Sequence, residues 1–88
     1  MNIRFQFHLI NGKIWLGFGD FEIEDKGKGK GSRVIQYLKS LNCYDVLYCY
    51  VDIDNEAAIR FYKKNGGVIR TYVNNQFIVI LKGEGYVD

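Results

Sequence analysis

Asp25-Lys-Gly-Lys-Gly-Lys-Gly-Ser32 is the stretch on which the reading of this chain turns. It opens directly into Val34, Ile35, Leu38 and Leu41, whose spacing makes one apolar face of a helix. Ser32 or a preceding glycine can begin that helix, and Asn42 can end it. Glycine alternating with lysine just before a helix has a physical use. The first helical turn leaves backbone N–H groups unpaired, and the aligned peptide dipoles place partial positive charge there. Glycines clear side-chain bulk, so an anion can reach that backbone, while Lys26, Lys28, Lys30 and Arg33 surround it with mobile charge. A pyrophosphate suits this description better than a neutral ligand. An ordinary solvated loop is the plain alternative.

Working outward, the chain upstream reads as a hairpin. Ile3, Phe5, Phe7 and Leu9 alternate with Arg4, Gln6 and His8, the period of a strand with one buried face. Asn11-Gly12 supplies a two-residue turn, and a second strand runs from about Lys13 to Glu24. Gly17 and Gly19 within it predict a bulge or a close approach of another group. Downstream, Val46–Val51 is a continuous apolar and aromatic run, the pattern of a strand buried on both faces. Asp52-Ile-Asp-Asn55 breaks that run and caps a second helix with Ala58, Ile59, Phe61 and Tyr62 on its apolar face. Gly66-Gly67 stops it, and Val68–Val73 with Gln76–Lys82 form a hairpin across Asn74-Asn75, followed by a loose tail. The order is β-β-α-β-α-β-β, an α/β arrangement in which two helices pack on a mostly antiparallel sheet.

Composition narrows the function. Eighty-eight residues, 48% hydrophobic and 16% aromatic, suit a single small folded domain spanning 1–88. Twelve Lys+Arg against ten Asp+Glu give +2, too mild a charge to argue for nucleic acid. Base stacking by Tyr48 and Tyr50 is a weak alternative, because they lie in a run that reads as buried. Two cysteines and one histidine, with no CxxC spacing, give no structural metal site. No apolar run is long enough for a signal peptide or membrane span, and free thiols then fit the cytoplasm.

Two familiar phosphate motifs fail on spacing. A Walker A loop needs lysine between glycine and hydroxyl, where Gly31-Ser32-Arg33 has none. The dinucleotide fingerprint is one step out of register after Gly27-Lys-Gly29. Lys26-Gly-Lys-Gly29-Lys-Gly31 instead resembles the Arg/Gln-x-x-Gly-x-Gly/Ala signature of the GNAT superfamily of N-acetyltransferases, with lysine at the first position. Asn55-Glu-Ala-Ala58-Ile-Arg-Phe-Tyr62-Lys-Lys-Asn-Gly66 is similar to that family's Asn-x-x-Ala-x-x-x-Tyr-x-x-x-Gly helix, with Gly67 where phenylalanine is usual. Two motifs in order, separated by a helix and an apolar strand, make the resemblance specific. It covers roughly Phe18 to Leu81.

The resemblance implies a GNAT-like fold lacking the family's N-terminal elements, and transfer of an acetyl group from acetyl-CoA directly to an amine. It implies that Lys26, Gly27, Lys28, Gly29, Lys30, Gly31 and Ser32 hold the pyrophosphate. The pantetheine arm would lie between two splayed strands, here about Phe21–Glu24 (with Phe21 and Ile23 on the cofactor) and Tyr48–Val51. Asn55 would touch the pantetheine or set the helix start, and Ala58 would let the cofactor pass. Tyr62 would protonate the departing thiolate. For the base, Asp20, Glu22 and Glu24 alternate on one strand face; Glu22 and Glu24 are the leading candidates, His8 and a nucleophilic Cys49 the lesser ones. The acceptor amine is open. A homodimer could complete its site, since the first hairpin offers Phe5, Phe7 and Trp15 for pairing with another chain. The alternative function is an inactive CoA-binding or protein-interaction module of the same fold.

Overall fold

The computed structural model describes residues 2–22 and 29–83, with the side chains of residues 2 and 20–22 outside the description, as is the tail beyond Gly83. Five strands and two helices follow in the expected order: β1 (Asn2–Ile10), β2 (Lys13–Glu22), α1 (Lys30–Ser40), β3 (Val46–Asp52), α2 (Glu56–Lys64), β4 (Val68–Val73) and β5 (Gln76–Lys82). The sheet order is β1-β2-β3-β5-β4, antiparallel except where β2 meets β3 in parallel. A parallel pair needs a crossover, and α1 provides it. The hairpin turns use the left-handed conformation at Asn11, Gly12, Asn74 and Asn75, as their residue types allow.

One face of the sheet carries the core. Leu16 and Phe18, Leu47, Cys49 and Val51, and Val79 and Leu81 meet Ile35 and Leu38 of α1 and Tyr62 of α2. The two helices are tied at their far ends through Asn65, a buried polar side chain. Its Nδ2 donates to Phe61 O (2.9 Å), its Oδ1 accepts from Gln36 (3.4 Å), and its carbonyl accepts from Lys39 Nζ (3.0 Å). Gly67 follows with no room for a side chain: a Cβ there would stand 2.7 Å from Tyr62 O and 2.8 Å from Val79 Cγ1. That close approach accounts for glycine where phenylalanine was the expected family residue. Among the described residues the opposite face is covered by no helix, and it holds a smaller cluster of Trp15, Val46, Tyr48 and Ile80.

Four expectations are corrected. The row Phe5, Phe7 and Leu9 is exposed rather than buried, because neither helix reaches over β1. Trp15, expected beside that row, faces the other way and is buried against Tyr48. β3 is covered on both faces only as far as Cys49, and Tyr50 is exposed. The first helix ends at Ser40 with Leu41 as its cap, two residues before Asn42.

Candidate functional site: a parted seam between two helix starts

The parallel ladder between β2 and β3 pairs Trp15↔Val46 through Phe18↔Cys49 and goes no further among the described residues. Yet β2 continues to Glu22 and β3 to Asp52, each still held on its outer side. Gly19 and Glu22 pair with β1, while Tyr50, Val51 and Asp52 pair with β5. The sheet therefore opens in its middle, leaving residues 19–22 and 50–52 as two facing strand edges. Backbone N–H and C=O groups on such edges need partners. Tyr48 and Cys49, expected among the splayed residues, are still in the ladder, so on β3 the opening begins two residues later.

Both helices begin at this open end, because α1 follows the C-terminal end of β2 and α2 that of β3. Gly29 takes φ +74 and caps α1 with no side-chain hydrogen bond, and no acidic residue stands in the first turn. Arg33 N–H donates to Gly29 O (3.1 Å), and Gly31 is buried against the core layer. Half-buried Ser32 and exposed Lys30 flank it. Of the stretch expected to hold an anion, Gly29 to Ser32 are described, and they form the first turn of α1. Ile23, Glu24, Lys26, Gly27 and Lys28 lie outside the described residues, as do the side chains of Asp20, Phe21 and Glu22.

Asn55 is the N-cap of α2: its Oδ1 accepts the Ala58 N–H at 3.1 Å, so the helix-start role is the one its contacts show. Ala58 is half-buried and packs against the core. Further along α2, Tyr62 reaches the closed end of the opening. Its ring meets Phe18 edge-on (centroids 6.1 Å apart), and its hydroxyl lies beside the Cys49 thiol. Phe18 and Cys49 are the last ladder pair, so one phenol marks the point where the seam parts.

Burial, with Cys49 beside it, pushes the Tyr62 phenol well above its ordinary range. Burial likewise pushes the Cys49 thiol up to about 12, partly offset by the Tyr62 hydrogen bond. At neutral pH the phenol is a proton donor and the thiol is not a thiolate. Cys49 is also buried, so its surroundings do nothing to activate it as a nucleophile. His8 lies exposed on β1, its Nε2 3.4 Å from Gln6 Oε1.

Two concavities flank the seam. On the helix-free face a cavity of about 140 Å³ is lined by Arg4, Gln6, Gly17, Gly19, Tyr48 and Tyr50. Gly17 makes room there, since a Cβ would stand 2.7 Å from the Tyr48 ring. The sequence signalled this close approach through its glycines, but nothing in it indicated Arg4 or Gln6. A broader polar depression of about 580 Å³ lies where β3 ends, between Asp52, Asp54, Asn55 and the Asn74-Asn75 turn. Its two carboxylates make it unsuited to a polyphosphate. Among the described residues no cluster of His, Cys, Asp and Glu could hold a metal, and no helix is long and apolar enough to cross a membrane.

Comparison with known proteins gives one match. The family model described as acetyltransferase (GNAT) family matches residues 24–67, half of the chain, from just past β2 to the glycine pair after α2. No curated protein and no solved structure matches.

Proposed function

Because the chain belongs to the acetyltransferase (GNAT) family, we propose that it binds acetyl-CoA in the parted seam and passes the acetyl group directly to an amine. Family membership supports acyl transfer in general; the cofactor and the amine acceptor are our reading of the site. The observation that carries it is the coincidence of three features. The seam parts in mid-sheet after Phe18↔Cys49, a helix start without a side-chain cap stands at its open end, and a buried phenol stands at its closed end.

Each feature has a task in the transfer. Backbone N–H groups from Lys28 to Ser32, with Lys26 and Lys30, hold the pyrophosphate at the start of α1. The facing edges, residues 19–22 (Phe21 among them) with Ile23 beyond, and 50–52, offer peptide groups to the two amides of the pantetheine arm, as a missing strand would. Asn55 fixes the start of α2, and through that helix the position of Tyr62; Ala58, with its small side chain, leaves the cofactor room to pass. The acceptor amine attacks the thioester carbonyl carbon, the C–S bond breaks, and the sulfur takes the proton of Tyr62. The amine proton goes to Glu22 or Glu24, directly or through water. The Tyr62 hydroxyl stands beside the Cys49 sulfur at the closed end of the seam, where the leaving sulfur would come.

Isothermal titration with acetyl-CoA, using ATP as a control for generic phosphate attraction, tests the reading. We expect saturable binding of acetyl-CoA and far weaker binding of ATP. In an amine-acetylation assay, Tyr62→Phe lowers turnover about a hundredfold, the ordinary size of a general-acid contribution, and leaves acetyl-CoA affinity unchanged. No selective binding would sink the cofactor site. Full turnover by Tyr62→Phe would sink the acid.

A further inference from the structure

The two edges of the sheet are finished differently. β4 is six residues long and is broken by a register shift between Ile69 and Thr71, with Arg70 exposed at the break. Short length, a bulge and a charge are the usual protections of an edge. β1 is nine residues long, and its one register shift lies at its start, between Asn2 and Arg4. From Phe5 to Ile10 it is regular. On the helix side it presents Phe5, Phe7 and Leu9 at 45, 59 and 74% exposure, while Ile3 at its start packs against the core. Cover therefore thins along the strand. Exposed Ile14 of β2, paired with Leu9, widens the apolar surface at the bare end.

We propose that β1 pairs antiparallel with β1 of a second copy, giving a two-fold dimer whose sheet runs through both molecules. Three features favour a second copy over another partner. Antiparallel pairing of a strand with itself closes on a two-fold axis and leaves no further edge of the same kind. To keep the apolar row on one face, odd residues must oppose odd and even oppose even. With Gln6 on the axis, Phe5 faces the partner's Phe7 and Arg4 faces the partner's His8, so no arginine opposes another. In the same register Leu9, the barest residue, faces the partner's Ile3, where the partner's core layer reaches the strand. The gradient of cover in one copy complements that in the other. On the helix-free face Arg4 and Gln6 line the small cavity, so the partner strand stands as its outer wall.

Sedimentation equilibrium of the whole chain tests the pairing, with Phe7→Lys and Leu9→Lys as variants. Both positions are exposed, so circular dichroism of each variant remains that of the parent. We expect a concentration-dependent monomer–dimer equilibrium whose dissociation constant rises about tenfold or more in either variant, as a charge facing an apolar row does. Register is tested by Gln6→Cys in a Cys43→Ser background. Residues opposed across an antiparallel pair have Cα atoms about 4.5–5.5 Å apart, within disulfide reach, so oxidation yields a covalent dimer. A monomer at every concentration, a dimer indifferent to both lysines, or growth into open assemblies overturns the proposal. A lysine-sensitive dimer in which the Gln6→Cys variant forms no bridge overturns the Gln6-centred register.

Discussion

Helices α1 and α2 begin at the same end of the sheet, yet their first turns are finished in opposite ways. α2 is completed by its own chain: Asn55 accepts the Ala58 N–H, and Glu56 sets a carboxylate against the positive end of the helix. α1 opens on a glycine with positive φ, has no side-chain cap, and carries lysine where α2 carries glutamate. A helix start with its donors satisfied contributes stability. One left for an outside anion gives up that stability and gains a binding site. Under the proposed function the two turns do different work, with α2 positioning Tyr62 and α1 receiving the charged end of acetyl-CoA.

The largest expected effect comes from making the first turn resemble the second. Lys30→Glu replaces a cation by an anion at the first position of α1, where the helix dipole itself favours the anion. Thermal stability therefore stays level or rises slightly. Acetyl-CoA affinity falls about a hundredfold, because a charged contact is lost and a repulsion gained. Titration calorimetry and a melting curve on the same sample read both quantities. An affinity within about threefold of the parent would remove the phosphate role of α1.

The converse change sharpens the comparison. Asn55→Ala leaves the Ala58 N–H without its cap and costs about 1 kcal/mol, lowering the melting temperature by about 4–8 °C in a chain of this size. Asn55→Asp restores most of the loss, since aspartate caps as well as asparagine does. Acetyl-CoA affinity changes little in the aspartate variant if the side chain serves the helix alone. A large loss there, with stability restored, would show that Asn55 also meets the cofactor.

The same contrast explains what could be read beforehand. Local features were legible, because glycine spacing, the Asn-Gly and Asn-Asn turns and the 3.6-residue periodicity act within a few residues of chain. Element order followed from them, and the second motif lay in a helix and its cap, where side-chain type and backbone geometry are tightly linked. What was misread depended on distant cover. Phe5, Phe7 and Leu9 have a pattern that fits burial, but burial needs a second layer, and the helices lie over β2, β3 and β5 instead. Trp15 was set on the wrong face for a related reason: the alternation that defines the strand does not say which side the helices cover. The approach of the Tyr62 hydroxyl to Cys49 joins residues from a helix and a strand, so neither local pattern announces it.

Glu56 offers the finest test of the comparison. Its carboxylate can stabilise α2 through the helix dipole or through Arg60, whose Nη1 lies 4.0 Å from Glu56 Oε2 one turn on. Both side chains are largely exposed, and pairs of this kind contribute little at that distance. The dipole is then the larger share, and it belongs to the first turn alone. Glu56→Gln is expected to lower stability by roughly a few tenths of a kcal/mol at low ionic strength, an effect that fades as salt is added. Arg60→Gln leaves stability nearly unchanged. Equal losses in the two variants would assign the stabilisation to the ion pair instead, and the charge difference between the two helix starts would matter for binding at α1 only.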